Sequence, residues 1–365
     1  MPFSILDILG MAAFILLIIL LPAIVRMRIF SAIEGAIAEL EDMEGDAMKI
    51  LAELAEPEDP RTLEDYLEFF IIPPSDIDPA GLADRYRRLL EMGDLRLQKL
   101  VERFPPAADT ERRASIIMCI RVAAGMRGIL KFLRHNLELA RKTGNLQILV
   151  ALQMNLELIM RTARAYMDGC RAISRCLPIG DGAGPLTAGM LIENRDQREH
   201  LHEMVYVKKR FMGKEVGILR PRGPGSRLGM MIKAMEEILT RDEFDEIIMV
   251  DAAAKLEGEK TGAVACGMGV AIGGSGVEKW FIENMVLEHR THSIIIKMSP
   301  EEAMSQMPED VLEGCRVALE QIKGIVSESD ADSILIVGTG NSSGIPDSVE
   351  NPDEIKVKKE DNGRD

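Results

Sequence analysis

The sequence predicts an α/β protein: an N-terminal transmembrane helix, a helical middle region, and a C-terminal domain whose parallel-type sheet carries helices on both faces. Three observations predict it. Residues 8–25 hold no charge; between residues 80 and 175 apolar residues recur at three- and four-residue spacing; and from about residue 176 short apolar runs alternate with amphipathic stretches. Alternation of the last kind builds a largely parallel sheet covered by helices on both sides. The expected divisions are an anchor at 1–29, a helical region at 30–175, an α/β domain at 176–345 and a disordered tail at 346–365.

The anchor reads "ILGMAAFILLIILLPAIV", from Ile8 to Val25, long enough to cross a well-matched or slightly thinned bilayer. Asp7 is the only charge before it, and Arg26 and Arg28 follow it. The excess of positive charge on that flank places the N-terminus outside and the body in the cytoplasm, as a single-pass protein of the cell membrane. No basic leader or small-residue cleavage site marks a signal peptide. Next, Ile33, Ile37, Leu40, Glu44, Ala47, Leu51 and Leu54 form a short heptad stripe with one polar interruption. Residues 33–54 could pack on the chain's own helices or pair with a second copy to make a homo-oligomer, and both readings stay open. Proline-bearing breaks at 71–81 and 104–109 separate helices expected at about 80–103, 110–142 and 146–175.

Composition sets outer limits. The 365 residues are 47% hydrophobic and 4% aromatic, with 23 Met and one Trp, which suits helices and aliphatic strands rather than an aromatic-rich sandwich. A net charge of -15 gives no reason to expect a nucleic-acid partner. Five Cys without a CxxC pair point to reduced thiols and against a cysteine zinc site, and the five His offer no HExxH.

In the α/β region the strands are "MVYVKKRF", "EVGIL", "EIIMVDA", "HSIIIKM" and "SILIVGTG". Ligands collect at the C-terminal ends of parallel strands, and Asp251 ends one such run. Asp181 lies in "IGDGAGPLTA", where Gly180, Gly182 and Gly184 permit unusual backbone angles and close approach, and Pro185 suits an early helical position. Its carboxylate is expected on a tight turn, facing a ligand or metal, or merely capping the helix. Between 207 and 233 a basic surplus surrounds "RPRGPGSRLG", so Arg220, Arg222, Ser226 and Arg227 are expected either to bind an anion, a small molecule or a protein tail, or to serve as a solvated face and salt-bridge partners. "LEGEKTG" lacks the Walker glycines and "VGTGNSSG" lacks a following helix, so neither makes a nucleotide site. Glu257 and Glu259, close after Asp251, are candidate third ligands or proton carriers.

"IGDGAGPLTAGML", followed by "EIIMVDAA", then "PE" and "VALEQI", resembles the nickel-hydrogenase maturation endopeptidases and the related germination proteases over residues 176–326. The resemblance implies a phosphorylase/hydrolase-like fold and a divalent metal held by Asp181 and Asp251, with Glu257 as a further candidate. Two carboxylates suit Mg, Mn or another oxygen-preferring ion better than Zn, and Mg, Mn and Ni all stay open. Two departures stand out: "GGSG" at 273–276 occupies the place of a His, and the strand leading to a GxGN-like turn comes last, as Ser333–Gly338. In permuted order that strand would sit centrally and bring Asn341 near Asp181. The whole chain, with "RGPGSRLG" and "DAAAKLEGEKTG", also resembles an uncharacterised archaeal membrane-anchored family carrying a domain of unknown function. The functional expectation is a metal-dependent hydrolase or peptidase with Asp181 and Asp251 catalytic, or a tethered, non-enzymatic binding or assembly protein.

Overall fold

The computed structural model describes residues 5–69, 79–105, 109–273 and 276–359. Five helices come first: α1 (Ile5–Ala55), α2 (Arg61–Leu67), α3 (Pro79–Val101), α4 (Thr110–Thr143) and α5 (Leu146–Ser174). Asp109 Oδ1 accepts from the backbone N–H groups of Glu111 and Arg112, so a cap carboxylate satisfies two donors where α4 begins. Of the expected breaks at 71–81 and 104–109, residues 71–78 and 106–108 lie outside the described residues.

The chain divides into two compact units, Met1–Asp46 with Ala123–Arg164, and Ala47–Val122 with Ala165–Asp365. In the first, Ile33, Ile37 and Leu40 of α1 bury themselves against Leu130, Leu133 and Leu137 of α4 and Leu149, Leu152 and Leu156 of α5. Glu44, the polar interruption of the stripe, is ion-paired with Arg127, and Glu39 with Arg164 at 2.9 Å. This half of the stripe is covered by the chain's own helices, so self-pairing through 33–54 would have to displace them. Toward its N-terminus α1 is long and apolar enough to cross a membrane, and side chains there, such as Leu9, Phe14 and Leu21, are exposed.

The second unit holds a seven-stranded sheet: β1 (Glu199–Leu201), β2 (Met204–Phe211), β3 (Lys214–Pro221), β4 (Glu246–Ala254), β5 (Val264–Met268), β6 (Arg290–Met298) and β7 (Ser333–Gly338), in the spatial order β1-β2-β3-β7-β4-β6-β5. The four inner strands β3, β7, β4 and β6 are parallel, and β1, β2 and β5 add antiparallel flanks, so the sheet is mixed. Two-residue turns explain one flank. His202 and Glu203 join β1 to β2 with φ of 50° and 63°, and Met212 and Gly213 join β2 to β3 with φ of 53° and 84°. Positive φ at both central residues makes hairpins that force antiparallel pairing.

The remaining helices are α6 (Ala183–Gly189), α7 (Met231–Arg241), α8 (Gly276–Met285), α9 (Pro300–Met304) and α10 (Glu309–Glu328). Strand alternation sends Ile248 and Val250 to a core shared with α6 and α10, and Ile247 and Met249 to one shared with α7 and α8. Each fully buried aliphatic side chain of these two layers is worth about 1.5–3 kcal/mol.

The expected disordered tail is corrected for residues 347–359. Val349 and Ile355 are buried in the α6–α10 core, the Val349 N–H donates to Gly189 O at 2.9 Å, and Pro308 bridges to Lys358. Backbone pairing and a few isolated apolar anchors hold this segment, which leaves no periodic pattern to read. Residues 360–365 lie outside the described residues.

Candidate functional site

A 3₁₀ turn at Gly180–Gly182 leads directly into α6. Its glycines serve close approach, not unusual angles, since none of Gly180, Gly182 and Gly184 has positive φ. A Cβ on Gly184 would lie 2.2 Å from Thr339 O and 2.4 Å from Val250 O, so the turn rests on the backbone ends of β7 and β4. Pro185 is buried on the first turn of α6, and the helix N-cap makes no side-chain hydrogen bond. Asp181 therefore does not cap it.

β7 is the middle strand of the sheet. Beyond its end, the Thr339 N–H donates to Val250 O at 2.9 Å and the Asn341 N–H to Asp181 O at 3.2 Å, which brings the loops after β7 and β4 to the Asp181 turn. Asn341 itself is buried, and its Oδ1 accepts from Ser226 Oγ at 3.0 Å and the Ser343 N–H at 2.9 Å.

Asp181 and Asp251 line one cavity of about 230 Å³ at this C-terminal end of the inner strands. Leu228 and Ile232 at the entry to α7, Ile272 and Gly273 ahead of α8, and Thr339 beyond β7 form its wall. Asp251 is only 4% exposed. Its Oδ1 accepts from the Ala252 N–H at 2.8 Å and its Oδ2 from the Gly273 N–H. Burial first, and the Asp181 charge second, push its carboxyl up to about 7. Burial pushes Asp181 up to about 6, against a hydrogen bond from Asn341. Every hydrogen bond to the pair comes from a neutral donor, and among the described residues neither carboxylate has an ion-pair partner.

Glu278 also lines the cavity; it sits one turn before Ile282, which lines it too. Sequence reading missed Glu278, because nothing marks one acid on an amphipathic helix. Spacing alone could have suggested it, two residues past the "GGSG" that replaces the expected His. Glu257 is exposed and takes no part in lining the cavity, and Glu259 pairs with Lys297. Among the described residues no group of three or more His, Cys, Asp or Glu could hold a metal ion. The two aspartates present hard oxygen donors.

The arginine loop is used differently from the expectation of an anion site. Arg220 is fully buried and donates to the carbonyls of Pro221 (3.0 Å), Ile345 (3.1 Å) and Pro346 (2.6 Å); burial lowers its pKa to about 10. Arg227 is buried against both carboxylate oxygens of Glu111, and also binds Glu203 at 2.8 Å and Thr110 O at 2.7 Å. Arg222 donates to Glu111 at 3.1 Å. Burial works to raise the Glu111 carboxyl, but hydrogen bonds from Arg227 and the Gly225 N–H outweigh it and hold it low. Ser226 is spent on Asn341. These donors hold the loop to α4 and to the segment after β7, so of the two readings of these residues the structural one, as salt-bridge and backbone partners, is the one the fold uses.

Residues 7–176 match the family model described as "Protein of unknown function (DUF1512) N-terminal domain", and residues 179–346 match "Domain of unknown function (DUF1512) C-terminal". No curated protein and no solved structure matched the chain.

Proposed function

We propose that this chain, which belongs to the DUF1512 family, is a membrane-anchored hydrolase in which Asp181 and Asp251 form the acid–base pair. The observation that carries the reading is the pair itself: two carboxyls that among the described residues have no ion-pair partner, raised to about 6 and about 7, lining one cavity. Values so close to neutrality leave one group largely ionised and the other about half protonated. An ionised carboxylate accepts a proton from an attacking water while a protonated one donates to a leaving group. The aliphatic wall limits bulk water and keeps both groups in the range where either form is accessible.

The same oxygens could hold a divalent ion such as Mg or Mn, with Asp181 and Asp251 as its protein ligands. When bound, such an ion would neutralise the pair and make a coordinated water more acidic. Arg26 and Arg28 support a body on the cytoplasmic side of the membrane. Binding without turnover is the second reading; the lack of a third metal ligand among the described residues favours it.

The test is a panel of peptide, ester and phosphoester substrates on the full chain in non-ionic detergent, with and without Mg or Mn. Turnover that peaks between about pH 6 and 7 and falls at least about 100-fold in both Asp181→Asn and Asp251→Asn supports the hydrolase. Activity retained in the double Asn variant sinks the assignment. No turnover from a chain that binds Mg or Mn stoichiometrically moves the site to the binding reading.

A further inference from the structure

We propose that the turn between α4 and α5 is a second membrane contact, an inference that rests on the reading of α1 as the membrane anchor. Leu146 and Val150 enter the boundary between headgroups and acyl chains, and Lys142, with Arg26 and Arg28, binds the phosphates of anionic lipids.

Helix register sets the height of the turn. Within the first unit α1 and α4 run antiparallel: Glu34 pairs with Arg141 and Glu41 with Arg134, so seven residues forward along α1 match seven backward along α4. Continuing three residues from Arg141 to Gly144 brings the end of α4 level with about Ser31 of α1. Ser31 is six residues past Val25, where the uncharged run ends, which is about 9 Å along the helix axis. The polar layer on each side of a bilayer's hydrocarbon core is about 5–8 Å deep, so the turn stands at its outer edge as α1 leaves the membrane. A second contact agrees with this register. The Phe30 ring carries the guanidinium of Arg26 at 5.5 Å and that of Arg141 at 5.6 Å, which ties the exit of the apolar stretch to the end of α4.

The turn is short and braced. Gly144, with φ of 66°, ends α4, and Asn145 Oδ1 accepts from the Gln147 N–H at 2.9 Å to start α5. From there α5 runs away from the membrane level, and helical side chains lean toward the helix N-terminus, so the exposed Leu146 and Val150 lean toward the bilayer.

Charge at the turn is one-sided. Residues 142–156 contain no acid, and the acids facing this end of the helices, Glu34 and Glu138, are both bound to Arg141. Among the described residues neither Arg28 nor Lys142 has an ion pair, and Arg26 meets a ring rather than a carboxylate. Exposed aliphatic side chains beside cations without counterions, one polar layer from an apolar span, match an anionic lipid surface in both polarity and charge. An acidic protein would match the cations alone, and would have to reach them at a height that headgroups occupy.

Trp280 is the chain's one tryptophan, so in a Trp280→Phe background Leu146→Trp and Met154→Trp each report a single position. The full chain is reconstituted into phosphatidylcholine vesicles with and without phosphatidylglycerol, floated on a density gradient, and its emission quenched by doxyl-labelled lipid. Position 154 lies eight residues, about 12 Å, farther along α5, so quenching at 146 should exceed that at 154 by at least about threefold. At 146 it should be about twofold stronger with phosphatidylglycerol than without, and Lys142→Glu should abolish that difference. Chains that float but show equal quenching at 146 and 154, or none at 146, overturn the inference and leave the anchor standing. Quenching at 146 that ignores phosphatidylglycerol overturns the assignment to anionic lipid. Blue-shifted emission at 146 without quenching shows the turn covered by protein, a second copy included, and overturns it as well. A chain that does not float overturns the anchor itself, and the contact with it.

Discussion

Replacing Asp251 with Asn should stabilise the protein at pH 8 and not at pH 5. Folding raises this carboxyl from its ordinary 3.8 to about 7, so the folded state holds the proton more tightly than the unfolded chain. The sign follows: the contribution to stability is intact below pH 3.8, declines as pH rises, and is lost once pH passes the folded value. The span from 3.8 to about 7, at about 1.4 kcal/mol per pH unit, sets a ceiling of about 4 kcal/mol for the ionised group at pH 8. Asp181 supplies part of that through its own charge. Asn mimics the neutral acid, but its amide NH₂ must face one of the two backbone donors, Ala252 or Gly273, at a cost of about 1–2 kcal/mol. The net expectation is a gain of about 2–3 kcal/mol at pH 8 and little net change at pH 5, where the raised carboxyl costs only about 1.7 kcal/mol. Urea unfolding of parent and variant in the same detergent, at both pH values, reads it directly. Equal destabilisation at pH 5 and pH 8 would refute the claim that Asp251 is raised by burial and by Asp181.

Other perturbations have equally definite outcomes. Gly184→Ala puts a methyl 2.2 Å and 2.4 Å from backbone oxygens that cannot yield cheaply; thermal unfolding should show a loss of about 3 kcal/mol or more. Arg220→Met strands the carbonyls of Ile345 and Pro346 away from water, and should cost about 3–5 kcal/mol, with hydrogen exchange quickening first at Ile345 and Val349. A wild-type rate there would show that Arg220 does not pin the segment. Removing residues 1–28 deletes most of the exposed apolar stretch of α1, so the shortened chain should stay in solution without detergent while the full chain partitions with membranes on fractionation.

The parts of this molecule that were legible from sequence are those where a local pattern and its physical cause coincide. Aliphatic strands such as "EIIMV" mark the inner sheet because both their faces are buried, and "GDGAG" marks a close backbone crossing because only Gly fits between Val250 and Thr339. Ser333–Gly338 is placed centrally through the family resemblance, in permuted order, and five of its six residues are buried, as suits a strand between two others. The antiparallel flank was harder to read. It depends on His202, Glu203 and Met212 adopting positive φ, which none of these residues advertises. Charge misled in the arginine loop: composition shows a local basic surplus, but only the fold shows Glu111 arriving from more than a hundred residues earlier to neutralise it. Glu278 and the packed segment at 347–359 share that difficulty, since each acquires its role from contacts distant in sequence.

The central claim, a pair of aspartates that hold protons near neutral pH in one shared cavity, is tested most directly by carbon NMR titration of ¹³C-carboxyl-labelled aspartate in the full chain, assigned with Asp181→Asn and Asp251→Asn. The structure predicts that Asp251 titrates at about 7 and Asp181 at about 6, and that Asp181→Asn moves Asp251 downward. Both carboxyls titrating near 4, each indifferent to loss of the other, would contradict it.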